Sequence, residues 1–307
     1  MKISTSLYFD RSSQQLSNVQ SNLGKTQEQL STGLQIVKPS DAPDKAALVT
    51  RLESELSRNV GYQDTLKSVN VRLTAEETAL KNTSDVMFRM KELAVQAAND
   101  TLTTQDRQSV ALEISSLREQ ILSLANSQDS NGNYLFSGSR ASEPAFGKDS
   151  TGRILYQGDH ARMKVNVGDN RRMNLNMPGS DAFVRVVRDD GKGNKSGIDF
   201  FQALDDLATA VRNSDHTNIQ RGIGEIDTLQ TGITEGLGQI GADLSVVDLQ
   251  NNVLDQVVLR LKTTRSDVED LDYTEAITRM NKDQLALEAA QSSFAKISQL
   301  SLFKFLG

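Results

Sequence analysis

Apolar residues recur every seven positions along most of this chain. Leu66, Leu73, Leu80 and Met87 form one series, with Tyr62, Val69 and Met90 between them and polar Glu76 and Thr83 interrupting it. That spacing is a heptad seam and predicts a long helix with one buried edge. Pro43, just after Asp41, suits the first turn of the helix, which is expected to reach about Ala98, roughly 80 Å of rod at about 1.5 Å per residue. Val110, Ile114, Leu117, Ile121 and Leu124 alternate three and four apart, so a second helix over 105–128 should fold back along the first. The strongest series is Ile219, Ile226, Ile233, Ile240, Val247, Leu254, Leu261 and Val268, one apolar residue at each of eight successive sevens. Six glycines from Gly222 to Gly241 weaken its first half, so the signal for continuous helix is stronger after Ala242.

The phase breaks at 267–272 and a new stripe begins: Ile277, Met280, Leu287, Phe294 and Ile297. At the front, Phe9, Leu16, Leu23 and Leu30 keep the same seven-residue step, with Val19 between. Stripes this thin bury too little surface to hold a helix of about 30 residues alone, so each end needs a partner. The end stripes match in length and spacing, which favours an antiparallel pair of chain ends that packs in turn against copies of itself or relatives. The nine residues of the two stripes are the expected polymerisation contacts.

Residues 131 to about 197 have a different texture. Turn signals at Asn131-Gly132, Pro178-Gly179 and Asp190-Gly191 separate short alternating runs at 154–156, 163–167 and 183–187, the pattern of a small β-rich insert. A helix returns over 198–211, with Asp199 near its start and Phe201, Leu204, Leu207 and Ala208 on one face. The expected fold is therefore mainly α, a long antiparallel coiled-coil or bundle rod built from both chain ends with a small inserted β-rich domain. Its layers are a terminal helix pair (1–43 with 271–307), a helical rod (44–130 with 198–270) and an outer domain (131–197).

Composition narrows the chemistry. There are 307 residues, no Cys and no Trp, and aromatics make up only 5%, which suits thin packed layers rather than a thick core. Without Cys there are no disulfides, thiolate metal sites or cysteine nucleophiles. The net charge of −6 provides no basic field for nucleic acid, and the opening MKISTSLYFDRSS lacks the apolar stretch of a cleaved leader. No run of apolar residues is long enough for a membrane helix. Residues 276–307 carry only 4 basic and 2 acidic groups, which suits a helix surrounded by neighbours better than one facing water.

Sites for catalysis are not evident. Gly236-Leu-Gly-Gln-Ile-Gly241 has dinucleotide-loop spacing but follows no strand, so close helix approach or a loosened turn is the better reading. Asp129-Ser-Asn-Gly-Asn133 imitates a calcium loop, yet its sixth position is Tyr134 and its twelfth Arg140, so it reads as a turn. His160 and His216 lack ligand spacing, and Arg171-Arg172 reads as solvated surface. No cofactor, metal or catalytic residue is expected.

The segment QLSTGLQIVKPSDAPDKAAL (29–48) and the closing run DLDYTEAITRMNKDQLALEAAQSSFAKISQLSLFKFL (270–306) together resemble the paired terminal signatures of the flagellin superfamily. Lys38-Pro-Ser-Asp-Ala-Pro43, Asn133-Tyr-Leu-Phe-Ser-Gly138 and Tyr156-Gln-Gly-Asp159 bring it closer to the hook-associated members than to filament flagellins. The resemblance implies a non-enzymatic structural subunit of the bacterial flagellum, an adaptor at the hook–filament junction. It further implies a ring of copies between flagellin and hook-associated protein 1 on the hook side, an extracellular place reached without a cleaved signal peptide, and an export chaperone that holds 270–306. A minor filament-forming subunit, or an adhesin or ligand-binding module that uses the β insert, are the other readings.

Overall fold

The computed structural model describes the backbone of residues 2–189 and 195–306, and the side chains of residues 7, 9–189 and 195–296. In chain order the helices are α1 (Lys2–Thr32), α2 (Pro43–Ala97), α3 (Thr104–Ala125), the one-turn α4 (Gly179–Ala182), α5 (Phe200–Arg212), α6 (His216–Glu269) and α7 (Tyr273–Leu306). Between α3 and α5 lie β1 (Phe146–Lys148), β2 (Ile154–Tyr156), β3 (Lys164–Gly168), β4 (Arg171–Asn174), β5 (Val186–Asp189) and β6 (Lys195–Ile198). They form three separate antiparallel hairpins, β1 with β2, β3 with β4 and β5 with β6. The Asp190-Gly191 turn signal lies outside the described residues. The chain divides into two compact units, Met1–Asn59 with Gln256–Gly307, and Val60–Asp255. The boundary falls inside α2 and α6, and the hairpins share the second unit with the helices.

In the second unit the two heptad seams meet. Leu66, Val69, Leu73, Leu80, Met87 and Met90 of α2 are buried, as are Ile219, Ile226, Ile233, Ile240, Val247 and Leu254 of α6. The helices run antiparallel: Gln63 Nε2 donates to Asp255 Oδ1 at 2.6 Å near one end, and Gln230 Nε2 to Ser84 Oγ at 2.6 Å farther along. α3 folds back on α2 through Arg89 to Glu113, 3.0 Å, and α5 lies on α3, tied by Arg118 to Asp205. Thr103 and Asp106 form a capping box that starts α3 where the polypeptide turns back. α3 stops at Ala125 rather than at Gln128, because the Asn126 side chain donates to the Phe146 carbonyl and accepts from its N–H, tying the helix end to β1.

Three features differ from the pattern read in the sequence. α6 is unbroken through its glycines, because three of them sit where neighbours leave no room for a side chain. A Cβ on Gly222 would lie 2.8 Å from Leu207, one on Gly232 2.6 Å from Val184, and one on Gly236 3.1 Å from Ala182. The helix accepts their entropic cost in exchange for close packing. The strand expected over 183–187 begins only at Val186, since Phe183 ends α4 and turns into an aromatic cluster. Its ring meets those of Phe136 at 5.6 Å, Phe146 at 5.2 Å and Phe200 at 5.2 Å, in edge-to-face arrangements. Pro178-Gly179, expected as a turn, instead starts α4.

The polar interruptions of the α2 seam are also buried. Thr83 returns its hydroxyl to the Ala79 carbonyl at 2.8 Å. Glu76 lies beside Arg72, Nε to Oε1 3.4 Å, and accepts the Met177 N–H at 3.3 Å. Arg72 reaches on to the Tyr134 and Leu135 carbonyls at 3.2 and 3.0 Å and to Asp129 at 3.4 Å. Asp129 is held in turn by the N–H groups of Asn131 and Asn133, so the calcium-like stretch closes on itself as a turn. This chain of contacts fastens the loop after α3 and the segment before α4 to one turn of α2.

Burial pushes the Glu76 carboxyl up to about 8, against the opposing pull of Arg72. The folded value lies above the ordinary 4.5, so the native state keeps this proton through the interval between them, and stability falls as pH rises across it. Glu76→Gln, which keeps the neutral shape, is expected to exceed the parent by about 3 kcal/mol at about pH 8.5, with the gap shrinking toward about pH 5. Urea unfolding across that range checks this, and parallel curves for the two proteins would contradict it. The glycines make a second prediction. Gly232→Ala should destabilise by about 1–3 kcal/mol through overpacking, whereas Gly238→Ala, whose Cβ meets nothing within 4 Å, should gain up to about 1 kcal/mol of helix propensity. Calorimetric melting of the two variants should show shifts of opposite sign.

Candidate assembly site: the paired chain ends

The first unit is built on α1 and α7. They run antiparallel, fixed at one end by Phe9 and Phe294, whose ring centres are 4.8 Å apart, and at the other by a backbone bridge between Leu34 and Asp270. Because both stripes repeat every seven residues, this register places Leu16 level with Leu287 and Leu23 level with Met280. Among the described side chains, the covered positions along α1 are Ser12, Leu16, Val19, Leu23, Thr26, Glu28, Gln29 and Leu30. Along α7 they are Ala276, Met280, Asp283, Leu287, Ala290 and Phe294.

The seam changes character along its length. Near its base Thr26, Gln29, Leu271 and Ala276 are buried, while Leu16, Leu23, Leu30, Met280, Leu287 and Phe294 stay half-buried. A pair of helices covers only the facing edge of each. Outside that edge, Leu7 (52%), Ile277 (46%) and Leu285 (67%) are largely exposed, and Phe9 keeps 41% of its surface open despite its ring contact. Ile297 lies in the helix, but its side chain is outside the described residues.

Six of the nine expected contact residues thus lie half-buried on the seam, Phe9 is at its edge, and Ile277 is off it. Its place is taken by Ala276, because counting back from Phe294, Leu287 and Met280 in alternating fours and threes arrives at 276 rather than 277. Alanine and polar seam positions carry little apolar signal, which is why Ala276, Ala290, Asp283, Thr26 and Gln29 were not legible from hydrophobicity. The alternation itself was the available clue.

The elbows at the base are closely bonded. Gly33 ends α1 with φ +74°, and its N–H donates to the Gln29 carbonyl at 2.8 Å. The Gln35 N–H donates to the Glu269 carbonyl at 2.7 Å and the Leu271 N–H to the Gly33 carbonyl at 3.0 Å. Gln29 Nε2 donates to the Gln35 carbonyl at 2.6 Å. Lys25 pairs with Asp41 at 2.9 Å and holds that carboxyl below its ordinary value, and Lys38 pairs with Glu28 at 3.1 Å. Asp272 caps α7 by accepting from the N–H groups of Thr274 and Glu275.

The other sequence candidates have structural partners. Gly236–Gly241 is mid-helix. His160 bonds to Ser180 and His216 faces Asp100 at 3.3 Å. Arg171 donates to Gln250 and Arg172 to Asn166. Among the described residues, no group of three or more His, Asp or Glu side chains is placed to hold a metal, and no helix is long and apolar enough to cross a membrane.

Residues 3–141 match the bacterial flagellin N-terminal helical region and residues 223–306 the bacterial flagellin C-terminal helical region. The chain belongs to the flagellin superfamily. Flagellar hook-associated protein 3 of Salmonella typhimurium is 26% identical over 99% of both chains. A flagellin of Listeria monocytogenes is 22% identical over 97% of this chain and 96% of its own. The solved structure of a flagellar hook-associated protein from Vibrio parahaemolyticus superposes with a TM-score of 0.67 at 25% identity, covering 75% of this chain and all of that one. This superfamily member is a structural protein of the bacterial flagellum, mainly helical with small antiparallel hairpins.

A charge placed in the thin seam should undo it selectively. Leu23→Asp costs roughly 2–4 kcal/mol of desolvation, more than a marginal helix pair can spare. Hydrogen exchange is expected to show lost protection over 7–32 and 273–296 while 60–255 is unchanged. Unaltered protection at the ends would show that the seam is not what orders them.

Proposed function

We propose that this chain is the adaptor at the junction between flagellar hook and filament, a non-enzymatic subunit that polymerises through its terminal helices. The observation that carries the reading is the α1–α7 pair itself. Its seam is only half-buried, and apolar Leu7, Phe9, Ile277 and Leu285 stand open on a segment poor in charge. Such a surface is stabilised when copies surround it. The stripe residues Phe9, Leu16, Leu23, Leu30, Ile277, Met280, Leu287, Phe294 and Ile297 are proposed as the contact set, some within the pair and some between copies.

In this reading the terminal pair lies in the inner layer of the tube, the α2–α6 bundle packs side by side with its copies, and the hairpins decorate the outside. Hook-associated protein 1 sits below the ring and flagellin above it. Export proceeds without a cleaved signal peptide, and a chaperone covers 270–306 before the chain leaves the cell. The full-length likeness to a hook-associated protein 3 supports the junction over the filament, the second reading that the flagellin likeness favours.

Added to purified hooks that carry the hook-side junction protein, the full chain is expected to build a short zone that stops by itself. Electron microscopy distinguishes the outcomes: long polymers would establish a filament subunit, and no addition at all would refute the adaptor. A chain trimmed to 33–270 is expected to add nothing.

A further inference from the structure

Between the Phe9–Phe294 ring contact at one end and the elbow at the other, the middle of the seam between α1 and α7 chooses its register only weakly. Leu16 lies level with Leu287 and Leu23 with Met280 in stripes that share a seven-residue repeat, so sliding one helix by a heptad, about 10 Å, gives up the Phe9–Phe294 contact but still sets leucine against leucine or methionine in the middle of the seam. Among the described residues, the other seam positions beside these include Thr26, Asp283, Ala276 and Ala290, which are small or polar and penalise a slip only weakly, and Val19, which is apolar in any register. Residues 33–42, which connect α1 to α2, are long enough to absorb such a shift. Apart from the Phe9–Phe294 contact, what discriminates lies at the base, where the Gln35–Glu269 and Leu271–Gly33 backbone bonds, the Gln29 side-chain bond and the Gly33 elbow all have a single geometry.

We infer that the elbow contact of Gly33–Gln35 with Glu269–Leu271 is a register clamp, made of positioning residues that fix the level at which the terminal helices pair and hence at which copies meet. A slipped pair leaves the Gln35 and Leu271 N–H groups without their carbonyl partners in a partly covered elbow. Two net backbone hydrogen bonds favour the observed register by roughly 30-fold over one slipped by a heptad. Gly33 takes part because its φ of +74° disfavours any residue with a side chain. The inference about assembly rests on the terminal pair being the polymerising element, while the register itself is measurable without assembly.

The cysteine-free chain makes the test direct. Three full-length double variants place a thiol pair in register (Leu16→Cys with Leu287→Cys) or one heptad off (Leu16→Cys with Met280→Cys, or with Phe294→Cys), and disulfide yield under mild oxidation is read by mass spectrometry. The in-register pair is expected to exceed the other two by about 10-fold or more. Adding Gln35→Pro, which deletes one clamp donor, or Gly33→Val, which opposes the elbow, should raise the off-register yields several-fold while circular dichroism keeps its helical signal. Each clamp variant serves as the control for misfolding in the other. Comparable yields for all three pairs in the parent, or unchanged off-register yields in both clamp variants with helices intact, would overturn the clamp. In-register crosslinks from a chain that fails to join hooks would refute the adaptor and leave the clamp standing.

Discussion

Two helices packed side by side can hide only the edge that each turns to the other. α1 and α7 live under that constraint, since their seam residues are half-covered and Leu7, Ile277 and Leu285 have no place within the pair. Further helices packed on these faces would complete the burial; among the described residues, Leu7, Ile277 and Leu285 stay open even though parts of α2 and α6 belong to the same unit. In the proposed reading the incomplete coat is what suits the chain ends to assembly, since the apolar area left open is area that copies could cover. Low charge follows from the same need, because Lys or Glu on those faces would have to be desolvated on stacking.

The second unit solves the opposite problem. There α2, α3, α5 and α6, the one-turn α4 and three hairpins close over a single core, and α6 carries glycine where Val184, Ala182 and Leu207 press against it. Buried charge is tolerated because it is bonded. Arg188 of β5 meets Glu225 of α6 at 2.6 Å and also Asp206 of α5, joining a hairpin to two helices. Arg72, bonded to the Tyr134 and Leu135 carbonyls, and the largely protonated Glu76, which accepts the Met177 N–H, tie α2 to the loop before β1 and to the segment between β4 and α4. These polar ties hold irregular segments in one arrangement where apolar contact alone would permit several.

Between fully covered and half-covered seams, the elbows take on the role of specification. A repeat of seven is the simplest way to write a long helix pair, and its weakness is that it matches itself after every repeat. Backbone hydrogen bonds at Gly33–Gln35 and Glu269–Leu271 are local and aperiodic, so they supply the information that the periodic stripes lack.

Much of this was legible in the chain. Heptad spacing located α2, α6 and α7, Pro43 marked where α2 begins, and the break at 267–272 is the elbow between α6 and α7. Periodicity succeeds there because a long helix must repeat its buried edge whatever it packs against. The sequence could not tell that the α6 glycines are contact points, since a glycine weakens a helix locally and its compensation comes from residues far away in the chain. Nor could it show Phe183 leaving its expected strand for the aromatic cluster, or Ala276 in the seam where Ile277 looked the stronger candidate. Hydrophobicity records what a residue prefers, and only the neighbours that the tertiary structure brings to it decide whether the preference is met.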